Sequence, residues 1–151
     1  MTAQNLMNPN PVTLRLTDTV AAAGEHIIKE HLRHIPVVDD QGRYVGTFSI
    51  YSLLQLALPK AVTMKEGLSN AGFVNEQNAE LAQRLRERGN EPVSQWLSKD
   101  PVIHPNSSAM DAVLLLLKGH VSVPVVDKAN QRLVGMISSW NVIEKLITEN
   151  N

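Results

Sequence analysis

The sequence predicts an α+β fold in which two similar β-α-β-β-α units pack as a pseudo-twofold pair, with a helical insert between them. The peptide Ile-Pro-Val-Val-Asp at 35–39 returns as Val-Pro-Val-Val-Asp at 123–127, 88 positions later. Each copy lies within the same order of apolar, polar and turn-forming segments. In addition, 43% of the 151 residues are hydrophobic, which is enough for a core. A repeat at a fixed spacing determines architecture more firmly than any single motif.

The first copy contains every element of the unit in order. An extended segment leads into an amphipathic helix, for which Thr17 and Asp18 are N-cap candidates. Two β-rich strands follow, separated by the turn signal Asp-Asp-Gln-Gly, and a second helix is stopped by Pro59. The predicted bounds, in that order, are 12–14, 19–31, 35–38, 44–49 and 51–58.

The second copy repeats this order. Ser107 or Ser108 is predicted to cap its first helix, and Gly119 to end it. The extended segment, first helix, two strands and final helix are predicted, in that order, over 101–104, 108–118, 123–126, 133–138 and 139–147.

The stretch between the copies has no counterpart in either. A helix is predicted over 75–88, where Leu81 and Leu85 are spaced i, i+4 among polar residues. The apolar residues of 61–74 predict a segment that packs against the rest of the chain. The predicted boundaries are therefore unit 1 over 1–58, the insert over 59–92 and unit 2 over 93–151.

Composition excludes several classes of protein. The formal net charge is −1, which argues against nucleic-acid binding through a basic face. The chain has no cysteine, so disulfides, thiolate catalysis and iron–sulfur clusters are excluded. The N-terminus lacks the pattern of a secretory signal, and the most apolar run, 112–117, is too short to cross a membrane. These features predict a cytoplasmic protein.

The ordered set of motifs, found twice, resembles the cystathionine-β-synthase (CBS) domain. That pattern consists of a Pro-Val start, a capped helix, a Pro-Val-Val-Asp strand, a glycine turn and Gly-x-x-Ser/Thr-x-x-Asp/Asn opening a helix. It matches residues 7–58 and 93–148. The resemblance implies that the two units form one Bateman module and that adenine nucleotides bind in the clefts between them. Units of this size bury little surface alone, and closed symmetric assemblies are common, so we also expect a homodimer.

The resemblance also implies the location of the ligand. The base would lie against backbone near the first strand and the Pro-Val-Val-Asp strand, the motif serine would contact phosphate or ribose, and the motif aspartate would bind the ribose hydroxyls. Arg33 and His120 are further polar groups for phosphate. The candidate ligand-binding residues are Thr13, His34, Ile35, Pro36, Ser49, Ser52, Ile103, His104, Ser122, Val123, Pro124, Ser138 and Asn141.

Both copies depart from this pattern at the ribose position, where neither has a carboxylate. Asn141 can accept through its amide oxygen, whereas Ser52 offers only a hydroxyl, so the cleft that uses Asn141 ranks first. A purely structural interpretation stays open. Ser49 and Ser138 would then be helix N-caps, Asn141 a solvated residue, and Pro36 and Pro124 strand starts.

Two functional hypotheses follow. The first is a regulatory module that binds an adenosine-containing ligand, such as AMP, ADP or ATP, and signals to an unidentified effector protein in trans. The second is a structural dimerisation module without a functional nucleotide site, which the missing carboxylates favour. No catalytic motif is present, so we expect no enzyme activity. His26 and Glu30 share a helix face, but such a pair is a weak metal signal, and no metal site is predicted.

Overall fold

Both halves of the chain have the same order of elements: a short extended segment, a helix, two strands and a second helix. The computed structural model describes residues 1–59 and 78–149. The helices are α1 (Ala3–Leu6), α2 (Val20–Glu30), α3 (Ile50–Ala57), α4 (Asn78–Glu87), α5 (Ala109–Leu117) and α6 (Ser139–Thr148). The strands are β1 (Leu14–Arg15), β2 (His34–Val38), β3 (Tyr44–Ser49), β4 (Ser122–Val126) and β5 (Leu133–Ser138).

The two small sheets share one design. In the first sheet, β1 lies parallel to β2, which pairs antiparallel with β3. In the second, β4 pairs antiparallel with β5, and a parallel bridge between Ile103 and Val125 takes the place of β1. Both hairpins change register at the same point of the repeat, Val37/Val38 in one and Val125/Val126 in the other. The predicted α+β fold is confirmed.

Side-chain caps fix where the helices begin. Thr19 caps α2, because its hydroxyl accepts a hydrogen bond from the Ala22 amide at 3.1 Å. The prediction of Thr17 or Asp18 as the cap was wrong, since the Asp18 carboxylate instead accepts from the Arg15 amide and closes the preceding turn. Ser108 caps α5, which confirms one of the two predicted alternatives, Ser107 or Ser108.

Each unit is completed by a segment from the other half of the chain. Ala3 and Leu6 are buried in the core of the second unit, whereas Val93 is buried in the core of the first, with Leu97 packed against it. Matching backbone pairs hold the two segments. Asn8 bonds both ways with Met136, at 2.8 and 3.1 Å, and Ser98 with Thr47, at 3.0 and 2.7 Å. The sequence did not predict this exchange, and the unit boundaries stay a prediction.

The turns of the two hairpins join the sheets directly. The Leu133 amide donates to the Gly42 carbonyl at 3.0 Å, and the Tyr44 amide to the Gln131 carbonyl at 3.2 Å. Gly42 has a φ of +79° and lies under the guanidinium of Arg132, so a side chain there would meet backbone strain and would have to displace that arginine slightly. This junction sets how the two units face each other across the clefts.

The insert contributes one described helix. α4 packs against α3, with Leu85 reaching the first core and Arg84 Nη1 donating to the Ala57 carbonyl at 2.8 Å. The helix predicted over 75–88 is therefore present over Asn78–Glu87. The packing predicted for 61–74 lies outside the described residues.

Candidate functional site

A cleft of about 1000 Å³ lies between the two units. Its walls come from the segment after α1, the start of β2, the loop before β4 and the first turn of α6. Five of the predicted binding residues line it together: His34, Pro36, Ser122, Ser138 and Asn141.

The other predicted residues lie elsewhere. Thr13 lines a separate cavity of about 430 Å³ beside the β2–β3 turn. His104 uses its Nδ1 on the Val126 carbonyl at 2.8 Å. Four more are buried in the sheets and cores: Ile35, Ile103, Val123 and Pro124. Ser49 and Ser52 belong to the pseudo-equivalent position in the first unit.

The floor of the cleft contains polar atoms without partners. Ser122 is 7% exposed, and its hydroxyl has no hydrogen-bond partner among the described residues. The Nδ1 atom of the neighbouring His34 is likewise buried and unpaired. An unsatisfied buried group of this kind lowers stability by about 1–3 kcal/mol. The Ser122 hydroxyl is therefore an unused polar group beside the cleft, whose lining also includes the apolar side chains of Pro36 and Met136, whereas His34 Nδ1 faces Asp100.

An acidic group stands behind His34. The distance from His34 Nδ1 to Asp100 Oδ2 is 3.6 Å, which is too long for a hydrogen bond but short enough for electrostatic attraction. Burial by itself raises the pKa of the Asp100 carboxyl, but His34, Thr47 and the nearby His120 outweigh it and hold that pKa below its usual range. Asp100 is thus a fixed negative charge that orients the imidazole.

Ser138 and Asn141 form a capping box at the start of α6. Asn141 Oδ1 accepts from the Ser138 amide at 2.9 Å and from the Ser138 hydroxyl at 3.0 Å. In return, Ser138 Oγ accepts from the Asn141 amide at 3.2 Å. Ser138 therefore serves as a helix cap, as the structural interpretation predicted. The amide oxygen that was expected to face a ribose is already used.

The N-terminus of α6 is more open than its counterpart in the first unit. There, the Ile50 amide donates to the Arg33 carbonyl at 2.9 Å. Within the described part of the chain, no backbone acceptor holds the equivalent amide of Ser139. Ser139 and Trp140 both line the cleft, so their amides present the positive end of a ten-residue helix to it.

The cleft is lined by side chains of both charges. Arg33 lines the cleft, and its side chain makes no hydrogen bond or ion pair with any described residue. His31 and His120 lie on the same cavity, together with the carboxylate of Glu30. The arrangement therefore offers one fixed cation, several hydrogen-bond donors and a helix N-terminus to a small anion.

The chain's own groups occupy the pseudo-equivalent site of the first unit. Ser52 Oγ donates to the Trp96 carbonyl at 3.3 Å, and Ser49 Oγ accepts from the Ser52 amide at 3.2 Å. The Tyr44 hydroxyl lies 2.6 Å from Thr47 Oγ1 and accepts from the Asp100 amide at 3.1 Å. Burial raises the pKa of this phenol, so it stays neutral and hydrogen-bonded. The two sites are therefore unequal, and the preference for the cleft that contains Asn141 stays a prediction.

Sequence reasoning missed more than half of the residues that line the cleft, among them Leu116, Met136 and Trp140. Trp140 carries the strongest sequence signal, because it directly follows Ser138 and Ser139. Leu116 and Met136 belong to apolar runs and are indistinguishable by sequence from ordinary core residues.

No group of three or more potential metal ligands is found within residues 1–59 and 78–149. Over the same ranges, every helix is too short or too polar to cross a bilayer.

Two curated proteins resemble the chain. An L-aspartate semialdehyde sulfurtransferase of Methanocaldococcus jannaschii is 29% identical over 113 residues, which cover 71% of this chain. The matched part is only 22% of that protein, so the chain spans about a fifth of its length. A CBS domain-containing protein of Dictyostelium discoideum is 27% identical over 146 residues, covering 95% of this chain and 90% of that protein.

Solved structures share the fold. A crystal structure of the CBS-pair protein CBSX2 from Arabidopsis thaliana has a TM-score of 0.74 and 23% identity, covering 97% of this chain and 94% of that one. A structure of CBSX2 in complex with AMP has a TM-score of 0.70 and 24% identity, covering 97% and 96%. The model of the CBS domain matches residues 3–58 and again residues 93–148. The chain therefore belongs to the CBS domain family and contains two copies of the domain.

Proposed function

We propose that this CBS-pair protein is a regulatory module that binds an adenosine-containing nucleotide in the cleft lined by Ser138 and Asn141. The observation that carries the proposal is the unpaired Ser122 hydroxyl, buried in the floor of a cleft large enough for a nucleotide. A buried donor and acceptor that the protein leaves free fits the edge of a base. The AMP complex of CBSX2 supports an adenine nucleotide as the ligand.

The cleft supplies chemistry for each part of a nucleotide. Pro36 and Met136 offer apolar surface for the base, and Ser122 Oγ offers a polar contact to its edge. The first amides of α6 and the guanidinium of Arg33 suit a phosphate. Among the described lining residues, Arg33 and Glu30 are the only permanently charged groups and are opposite in sign, which favours AMP over ADP and ATP.

Regulation then requires a difference in affinity between two states of the module. A ligand shifts an equilibrium only as far as its binding free energies for those two states differ. Because the cleft is built from both units, occupancy changes the contacts that fix their relative position. We propose that this change alters binding to an effector protein in trans.

Thermal unfolding tests the nucleotide proposal. A ligand at 100 times its Kd stabilises the folded state by about 2.7 kcal/mol, which corresponds to a rise in Tm of roughly 5–10 °C for a chain of this size. We expect this rise with AMP and a smaller one with ATP. Guanosine monophosphate and inorganic phosphate serve as controls. The absence of any shift with AMP, ADP, ATP, NAD, S-adenosylmethionine and cyclic dinucleotides at millimolar concentration would favour a purely structural module.

We further propose that the protein forms a homodimer through the outer surface of α5 and α6. Two exposed apolar stripes follow helical spacing on these adjacent helices. One contains Met110, Leu114 and Leu117, and the other Trp140, Ile143 and Ile147. With the exposed Leu146, seven large apolar side chains on these two helices are 48–79% exposed. Clusters of exposed apolar side chains mark interaction sites.

In the first unit, part of the corresponding helix surface is covered by another helix of the same chain. There, α4 packs against α3, the counterpart of α6. At the α2 positions that correspond to Met110 and Leu114 stand Ala21 and Glu25. The counterparts of Leu117, Trp140 and Ile143 are Ile28, Tyr51 and Leu54, which are exposed as well, so the second unit differs by its additional apolar positions. No described helix covers α6 in the same way, so a second copy is the occupant that we propose. Closed twofold pairing is the commonest arrangement of soluble oligomers.

A further inference from the structure

We infer that the cleft does not select for the cis-diol of ribose, so that ribonucleotides and 2′-deoxyribonucleotides bind to it with similar affinity. This inference rests on the proposed nucleotide site and concerns the ligand class that the site accepts. It departs from the diol-binding carboxylate that the family pattern places at this position.

The orientation of the Asn141 amide carries the inference. Its Oδ1 accepts two hydrogen bonds from Ser138, from the backbone amide at 2.9 Å and from the hydroxyl at 3.0 Å. A carbonyl oxygen has two lone pairs, so both are used. Rotating the amide by half a turn would place its NH2 group against the Ser138 N–H, donor against donor. The capping box therefore fixes Oδ1 toward the helix start.

The group left for the cleft is a donor. Asn141 lines the cavity, and its Nδ2 makes no hydrogen bond to any described residue. An NH2 group can donate to a hydroxyl oxygen, but it cannot receive the two O–H bonds through which a carboxylate holds a cis-diol. The Ser139 amide and the Arg33 guanidinium on the same cavity are donors as well.

One carboxylate lies on the cavity and has to be considered. Glu30 is exposed, at the last position of α2, while Asn141 is in the first turn of α6. Its side chain is not held by any hydrogen bond within the described residues, so nothing preorganises it for a diol. It therefore provides a control in the experiment below.

The substitution Asn141→Asp reverses the chemistry with almost no change in shape. One carboxylate oxygen can keep the two cap bonds from Ser138, and the other then faces the cleft as a charged acceptor. A hydrogen bond to a charged group contributes more than one to a neutral group, and the difference corresponds to about a tenfold change in affinity. The added charge also repels the phosphate, which lowers the affinity for both ligands equally.

Titration calorimetry of AMP and 2′-deoxyadenosine monophosphate tests the inference through the ratio of their Kd values. In the wild type we expect the two values to agree within about threefold, and in Asn141→Asp we expect the preference for AMP to rise about tenfold. Ser139→Asp adds the same charge beside the cap and should weaken both ligands without changing the ratio. Glu30→Gln should leave the wild-type ratio as it is.

Three results would overturn the inference: a wild-type preference for AMP of more than tenfold, a ratio unchanged by Asn141→Asp, or a ratio in Glu30→Gln that differs from the wild-type ratio. If neither nucleotide binds to the wild type, the proposed nucleotide site fails. If both bind and the ribonucleotide is strongly preferred, the site stands and only the inference about its chemistry fails.

Discussion

Replacing Gly135 by valine is expected to detach the N-terminal segment and abolish nucleotide binding. A Cβ atom at position 135 would lie 2.5 Å from the Met7 sulfur and 2.9 Å from the Asn8 carbonyl oxygen. The Asn8 backbone cannot retreat, because it bonds both ways with Met136. Displacing this segment would also withdraw Leu6 from the second core. We expect a loss of about 2–4 kcal/mol in the free energy of unfolding.

Gly135→Val should also abolish AMP binding, because Asn8 and the residues that follow it form one wall of the cleft. Urea unfolding measures the stability, and limited proteolysis near the N-terminus reports the detachment. Gly24→Ala is the matched control. Position 24 lies within α2, where the added methyl would meet only Leu53 at 3.8 Å, so a gain of about 0.5–1 kcal/mol is expected. Wild-type stability and AMP affinity in Gly135→Val would show that this close approach is not required.

Replacing Ile143 by aspartate is expected to convert the homodimer to monomers. Ile143 is 54% exposed on the outer face of α6, so the change should affect the fold of one chain by no more than about 0.5 kcal/mol. In a twofold dimer, the substitution buries two unpaired carboxylates. Even about 1.4 kcal/mol for each would weaken the dimer a hundredfold.

Analytical ultracentrifugation at micromolar concentrations measures the result. Ala129→Asp makes the same kind of change in the exposed turn of the second hairpin, away from both helices, and should leave the dimer intact. A wild-type protein that is monomeric across this range would refute the proposed face, as would an Ile143→Asp variant that still dimerises.

The repeat predicted most of the fold, because local patterns determine most of its elements. Turn residues fixed the hairpins, so β3 and β5 occupy their predicted ranges, whereas the cap of α2 was predicted one or two residues too early. The exchanged segments could not be predicted. α1 is four residues long, half of them polar, and its partners lie more than 100 residues away in sequence. No local periodicity records such a contact.

The sequence predicted some of the residues that line the cleft, but not which hydrogen bonds they make. The repeat identified His34, Ser122 and Asn141 as candidate binding residues, and the structure brings all three to one cleft. It could not show that Asn141 Oδ1 is used by Ser138, because the capping box and a ribose contact require the same residue type at the same spacing. That choice depends on which groups lie within hydrogen-bonding distance, and only the structure gives those distances.

The two halves of the repeat have diverged in a consistent way. In the first unit, Ser52 bonds to Trp96 and α4 packs on α3. In the second, the start of α6 is open to a cleft, and its outer face exposes Leu146 and Ile147 in addition to the positions that are apolar and exposed in both units. Trp140 belongs to both surfaces, since it lines the cleft and begins the exposed stripe. Nucleotide binding and dimerisation are therefore expected to influence each other, and by linkage the effect is reciprocal.

Titration calorimetry with AMP tests the central proposal most directly, because it gives both affinity and stoichiometry. We predict one AMP per chain in the wild type. We also predict an affinity about 10–100-fold lower in Arg33→Ala, which removes the cation on the cleft. Arg15→Ala removes an exposed arginine from the separate cavity beside Thr13 and should leave binding unchanged. No binding of AMP, two AMP per chain, or equal affinity in Arg33→Ala would contradict a single nucleotide site at this cleft.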